Sequence, residues 1–207
     1  MRSFIVSALV TSVIGLYSAS TAVAAPTASI GGGATTIRLT QPFTTTLSSL
    51  NISVSKVEES ITRNGAIVSP VIEGVLDRAD ARGEVEHSGG IRFGRSPIFV
   101  RFMNFNLETT GVAPVITAEV VVNNSVISRQ PVFDVVLPTL SLPIDPARRT
   151  LSIRAISLTL RSEAADVLNS AFTTSAFVGG TVAGRASTFL VFGRSPQGIL
   201  RGRSEQF

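Results

Sequence analysis

His87 is the only histidine in the 207-residue chain, and it is the residue with the widest chemical reach. It stands in Gly83-Glu84-Val85-Glu86-His87-Ser88-Gly89-Gly90, an alternating run that ends on two glycines. An imidazole there can ligate haem iron or a metal, or act as a pH-sensitive group. It can equally bond a backbone carbonyl and fix the turn. Parity puts His87 on one side of a strand with Val85, and Glu84 and Glu86 on the outer side. Ser88 adjoins His87, but strand neighbours face opposite ways, so a Ser–His nucleophile is not expected. No Gly-x-Ser-x-Gly elbow is present. Glu58-Glu59 reads as solvated rather than as acids converging in a cleft. Asp77 and Asp80 fit no metal-loop spacing. Gly31-Gly32-Gly33 lacks the strand-to-helix context of a phosphate loop. The sequence therefore points to binding rather than catalysis.

Apolar binding surface has to come from the 12 Phe, since there is no Trp. Most should be core, because the apolar faces of sheets must pack against something. Phe99 with Met103 is the first pair placed to line an apolar pocket, and Phe189 with Phe192 the second. Both faces of the Phe189 to Phe192 run are apolar, so that strand is either buried on both sides or presents a patch to a partner.

Composition removes several alternatives. With no Cys there is no disulfide framework, thiol nucleophile, Cys–zinc site or iron–sulfur cluster. A lone His removes multi-His metal sites. Apolar residues are 44% and charged residues 15%, which excludes a disordered, charge-rich chain. The net charge is +4 and Lys56 is the only Lys. The Arg residues are scattered and form no basic stripe with interleaved aromatics, so nucleic acid is not an expected partner.

The first residues read as an export signal over 1–24. Arg2 supplies the positive start, Phe4 to Leu16 is an apolar run without a charge, and Ala22-Val23-Ala24 gives the small-x-small cleavage pattern. The run is short of the roughly 20 residues that span a bilayer, and a lone Arg2 argues against the twin-arginine route. Cleavage near Ala24 removes Tyr17, the only Tyr. A flexible lead is expected over 25–34, one domain over 35–193, and a basic tail over 194–207. No second apolar run follows, so no transmembrane anchor is expected. The protein is placed outside the cell or at the cell envelope.

The elements that must position these residues are strands. Thr35, Ile37 and Leu39 share a face, as do Ile116, Ala118 and Val120, and Phe133, Val135 and Leu137. Turn signals fall at Arg63-Asn64-Gly65, Ser88-Gly89-Gly90 and Asn123-Asn124-Ser125. Pro138, Pro143 and Pro146 keep that stretch out of a sheet interior. Parity breaks at Met103-Asn104 and at Arg154-Ala155 predict β-bulges, which bend strands. Phe93-Gly94-Arg95-Ser96-Pro97 recurs as Phe192-Gly193-Arg194-Ser195-Pro196, read as one turn solution used twice. Only Ser162 to Asn169 looks helical, with Ser162 as cap and Glu163 complementing the helix dipole. Roughly ten short strands with one such helix predict an all-β fold, an antiparallel β-sandwich with one short α-helix.

Three segments together resemble the HtaA-like domains of secreted and surface proteins of actinobacteria. They are Gly83 to Phe93, with its His-Ser-Gly-Gly turn; Arg129 to Leu137 (RQPVFDVVL); and Leu158 to Asn169 (LTLRSEAADVLN), a strand running into an Ala-rich helix. Their order and spacing match over about Thr35 to Phe192. The resemblance implies a β-sandwich that, in its best understood members, binds haem through a Tyr supported by a His. The mature chain has no Tyr, so haem here would need His87 itself as axial ligand. The expected function is a secreted, non-enzymatic module binding haem or another apolar or anionic ligand at the envelope. The alternative is a structural or adhesive protein that self-associates through sheet edges or apolar patches.

Overall fold

Alternation of apolar and polar residues becomes strand along most of residues 26–193, the part of the chain that the computed structural model describes. The strands are β1 (Thr27–Leu39), β2 (Ser53–Val57), β3 (Ile61–Arg63), β4 (Ala66–Asp77), β5 (Gly83–His87) and β6 (Gly90–Arg95). They continue as β7 (Ile98–Glu108), β8 (Val115–Val122), β9 (Ser125–Val136), β10 (Thr150–Leu160) and β11 (Val182–Phe192). Two α-helices interrupt them, α1 (Gln41–Ser49) and α2 (Ser162–Phe172). The proline-rich stretch after β9 is a loop with one 3-10 turn, Pro146–Arg148. The expected signal segment and basic tail lie outside the described residues, as does the second copy of the repeat beyond Gly193. Among the described residues no helix is long and apolar enough to cross a membrane.

The all-β class holds, but the two separate layers of a sandwich do not. One antiparallel sheet runs β7-β5-β4-β1-β11-β10-β9-β8 and returns to β7, closing an eight-strand barrel. β6 and β2 extend from β7, and β3 pairs with β4. Closure depends on the bend in β7. Residues 98–103 pair with β6, residues 106–108 pair with β5, and β8 follows the opposite side throughout. The register slips between Met103 and Asn106, where Asn104 takes a φ of 54° and donates its N–H to the Gly89 carbonyl at 2.7 Å. This is the bulge the parity break predicted. The second one also forms: the β10–β11 register shifts between Ile153 and Ile156, with Ala155 at φ 60°.

The expected lead over 25–34 is instead the first half of β1. Ala28 and Ile30 are buried, and β1 is hydrogen-bonded on both sides, to β4 and β11. Its small residues serve close approach rather than flexibility. Gly33 sits at φ 136°, and a Cβ there would collide with the backbone oxygen of Phe189 and lie 3.1 Å from the Leu190 Cα.

The single expected helix is the second correction. The sequence Gln-Pro-Phe-Thr-Thr-Thr-Leu-Ser-Ser forms α1, although three threonines in a row favour a strand by propensity. Pro42 in the first turn fixes φ where no N–H is needed, and Phe43 and Leu47, four apart, are buried together. α2 begins where expected, but Arg161 occupies the N-cap position and Ser162 is already helical. Arg161 bonds Asp134 at 2.8 Å and Glu163 at 3.3 Å, and the latter bond holds the Glu163 carboxyl below its ordinary range. The helix runs on past Asn169 to bury Phe172. Asn169 instead clamps Phe177, donating to its carbonyl at 2.8 Å and accepting its N–H at 3.0 Å.

The core is joined by a run of aromatic contacts. Phe177 meets Phe43, Phe43 meets Phe93, Phe93 meets Phe102, and Phe102 meets Phe133, with ring centroids 5.5–6.4 Å apart. These contacts tie α1 and the segment after α2 to β6, β7 and β9.

Candidate functional site

β5 presents its residues as parity requires: Val85 and His87 are buried, while Glu84 and Glu86 are exposed. The His87 ring lies inside the barrel, where it meets β1 and β7 directly and reaches β11 only through Thr35. Its Nε2 is 2.7 Å from the Thr35 hydroxyl, its Nδ1 is 3.2 Å from the Phe105 carbonyl oxygen, and Thr35 is 2.9 Å from the Thr188 hydroxyl. A carbonyl only accepts, so Nδ1 carries the proton. Neutral Nε2 must then accept from Thr35, and Thr35 in turn accepts from Thr188. The proton direction along the whole row is set by one carbonyl.

Burial dominates the electrostatics of this row. It pushes the imidazole from 6.5 down to about 4, against smaller upward pulls from the backbone at Phe105 and Val85. His87 is therefore neutral at pH 7, with both nitrogens engaged. Ser88 is not drawn in; its N–H donates to the Pro70 carbonyl. Among the described residues no group of three or more His, Asp or Glu is placed to hold a metal.

These residues do not fit haem with His87 as axial ligand. Iron at Nε2 would have to displace Thr35 inside a packed barrel, where His87 is 6% exposed. The sequence's only Tyr, Tyr17, lies outside the described residues. The hydroxyl that His87 meets is the shorter one of Thr35.

The other expected site residues stand on the opposite face of the sheet. Phe99 and Met103 share the outer side of β7, while Val100 and Phe102 point into the core. Phe99 has two guanidinium groups near its ring, Arg92 at 4.6 Å and Arg101 at 5.6 Å from its centre. Met103 packs with Val57 and Val121 in a small cluster apart from the main core and is only 7% exposed.

A groove that the sequence did not announce crosses the outer faces of β3, β4, β1, β11 and β10. Its volume is about 520 Å³, and its lining includes Arg38, Arg63, Arg154, Ile61 and Phe189. Cross-strand register explains its shape. Phe189 stands opposite Ala34 on β1 and opposite Ser152 on β10, both too small to cover the ring, which is 47% exposed. The apolar run Phe189 to Phe192 is thus an open patch: Leu190 is buried, while Phe189 and Val191 face outward. Phe189 was visible in the sequence. The arginines that join it were not, because only strand order brings residues 38, 63 and 154 together.

No family model matches the sequence, and a search of curated proteins returns no significant match. Solved structures do match. The C-terminal domain of HtaA from Corynebacterium glutamicum is 17% identical with a TM-score of 0.61, over 80% of this chain and 99% of that one. The heme binding protein HtaB from the same organism is 12% identical with a TM-score of 0.55, over 81% and 96%. A domain-swapped dimer of a variant of the HtaA C-terminal domain is 17% identical with a TM-score of 0.54, over 73% and 91%. At these identities the likeness shows a shared fold.

Proposed function

We propose, from a chain with the fold of the HtaA domains, that it is an exported, non-enzymatic binding module of the cell envelope, with haem the first ligand to test. The observation that carries this reading is the fold shared with a heme binding protein over nearly all of that protein's length. The His87 row supports the non-enzymatic part, since its imidazole is buried, neutral and fully bonded. Export follows from the expected signal over 1–24.

The test is a haemin titration followed in the Soret region, beside His87→Ala checked for folding by circular dichroism. The expected result is a saturable shift that survives in the folded variant, because His87 does not reach the ligand. Loss of the shift in a folded His87→Ala protein would make His87 an iron ligand after all. No shift in either protein would remove haem.

A second reading, self-association, is favoured by one feature. Among the described residues β2 ends the sheet, paired only with β6, and Ser53–Lys56 are exposed along it. Sedimentation velocity is expected to show a dimer growing with concentration and indifferent to haemin. A monomer at every concentration would remove this reading.

A further inference from the structure

The groove across β3, β4, β1, β11 and β10 has a charge arrangement that its own protein neighbours do not satisfy. Arg38, Arg63 and Arg154 line it, and no carboxylate is among its lining residues. Arg185 stands directly opposite Arg38 in the β1–β11 register. Like charges directly opposite on one sheet face oppose pairing, yet none of these four arginines joins a salt bridge among the described residues. Arg38 is held in place, its Nη1 donating to the Asn64 carbonyl at 2.8 Å in the β3–β4 turn. Beside these cations lie two bare apolar surfaces, Phe189 at 47% and Ile61 at 56% exposed, over a floor of small residues such as Ala34 and Ser187. The volume is that of a small-molecule cleft.

We infer that this groove binds a small soluble amphipathic anion, its flat apolar body lying on Phe189 and Ile61 and its acidic groups paired with Arg38, Arg63 and Arg154. Guanidinium groups suit carboxylate, sulfonate or phosphate oxygens because their planar forks bond two oxygens at once. The neighbouring face completes the selectivity. A separate hollow over β4 and β5 carries Asp77, Glu84 and Glu86 against the single cation Arg82, a net acidic lining that disfavours an anion. The inference deepens the binding-module reading by giving it a site and a ligand class, and it needs no iron.

The probe is 8-anilinonaphthalene-1-sulfonate, set against N-phenyl-1-naphthylamine, the same ring system without the acid. A chain without Trp contributes little fluorescence of its own. The sulfonate is expected to saturate the protein and to bind about tenfold or more tighter than the neutral amine. Arg38→Gln with Arg154→Gln should weaken it by a similar factor, and Phe189→Ser should abolish the saturable signal. Arg92→Gln with Arg101→Gln, which removes the other arginine pair beside a phenylalanine, should leave binding unchanged. Equal binding of the neutral amine, or equal losses in the two double variants, would overturn the site. Phosphatidylglycerol vesicles sedimenting the protein while the sulfonate fails to saturate would assign the face to a membrane instead. If haemin fails and the sulfonate saturates, the haem reading falls and the groove stands. If haemin binds and the sulfonate fails, haem stands and the groove falls.

Discussion

Lowering the pH from about 7.5 to about 5 is expected to remove about 2 kcal/mol of folding stability through His87 alone. The folded imidazole titrates at about 4 because burial disfavours its charged form, against 6.5 for an unburied one. As pH falls through 6.5 the unfolded chain takes up a proton that the folded chain refuses. Stability is therefore full above that value and lost at about 1.4 kcal/mol per pH unit down to the folded value. Denaturant unfolding at a series of pH values measures the slope directly. With a single histidine in the sequence, no other side chain has its ordinary titration between about pH 5 and 7. The window stops at about 5 because carboxylates begin to titrate below it. A folded His87→Gln variant should give a flat profile across the same range. A flat profile in the wild type would mean that His87 is solvated and free to reach a ligand, and would make it a candidate iron ligand again.

How far the sequence carried can be judged at particular residues. Period-2 alternation located the strands and the inward side of β5, because each choice rests on a residue and its immediate neighbours. The two bulges were legible for the same reason: an extra residue shifts apolar parity, and a shift shows in a short window. Barrel closure was not legible, since it depends on β7 pairing with β5, β6 and β8 over different parts of its length. α1 was hidden by its threonines, whose strand propensity masked the Phe43 and Leu47 pair that buries it. The His87 row escaped in part. A bond to a backbone carbonyl was foreseen, but as one that fixes the turn; the carbonyl is that of Phe105 on β7, while Thr35 lies 52 positions away and Thr188 farther still, and all three meet the row only through strand order. The arginine groove is the same case. Scattered in sequence, its cations argued against nucleic acid; gathered by register, they argue for a small anion.

The largest loss expected from a single side chain is at Phe102. Phe102→Ala should cost about 3–5 kcal/mol, while Phe99→Ala, three residues earlier on the same strand, should cost about 1 kcal/mol or less. Phe102 is 0% exposed and touches Phe93 at 5.5 Å and Phe133 at 6.4 Å, both edge-on. Removing it empties the middle of the aromatic run that links α1 through β6 to β9, and a packed interior closes such a void only in part. Phe99 faces the other way, half-buried beside the guanidinium groups of Arg92 and Arg101, so its loss empties no sealed interior. Chemical denaturation of the two variants under one condition separates these cases. Their difference reads which face of β7 is the interior, independently of any ligand. Comparable costs at the two positions would mean that β7 is buried on both faces, which would close over Phe99 and merge the small Met103 cluster with the main core.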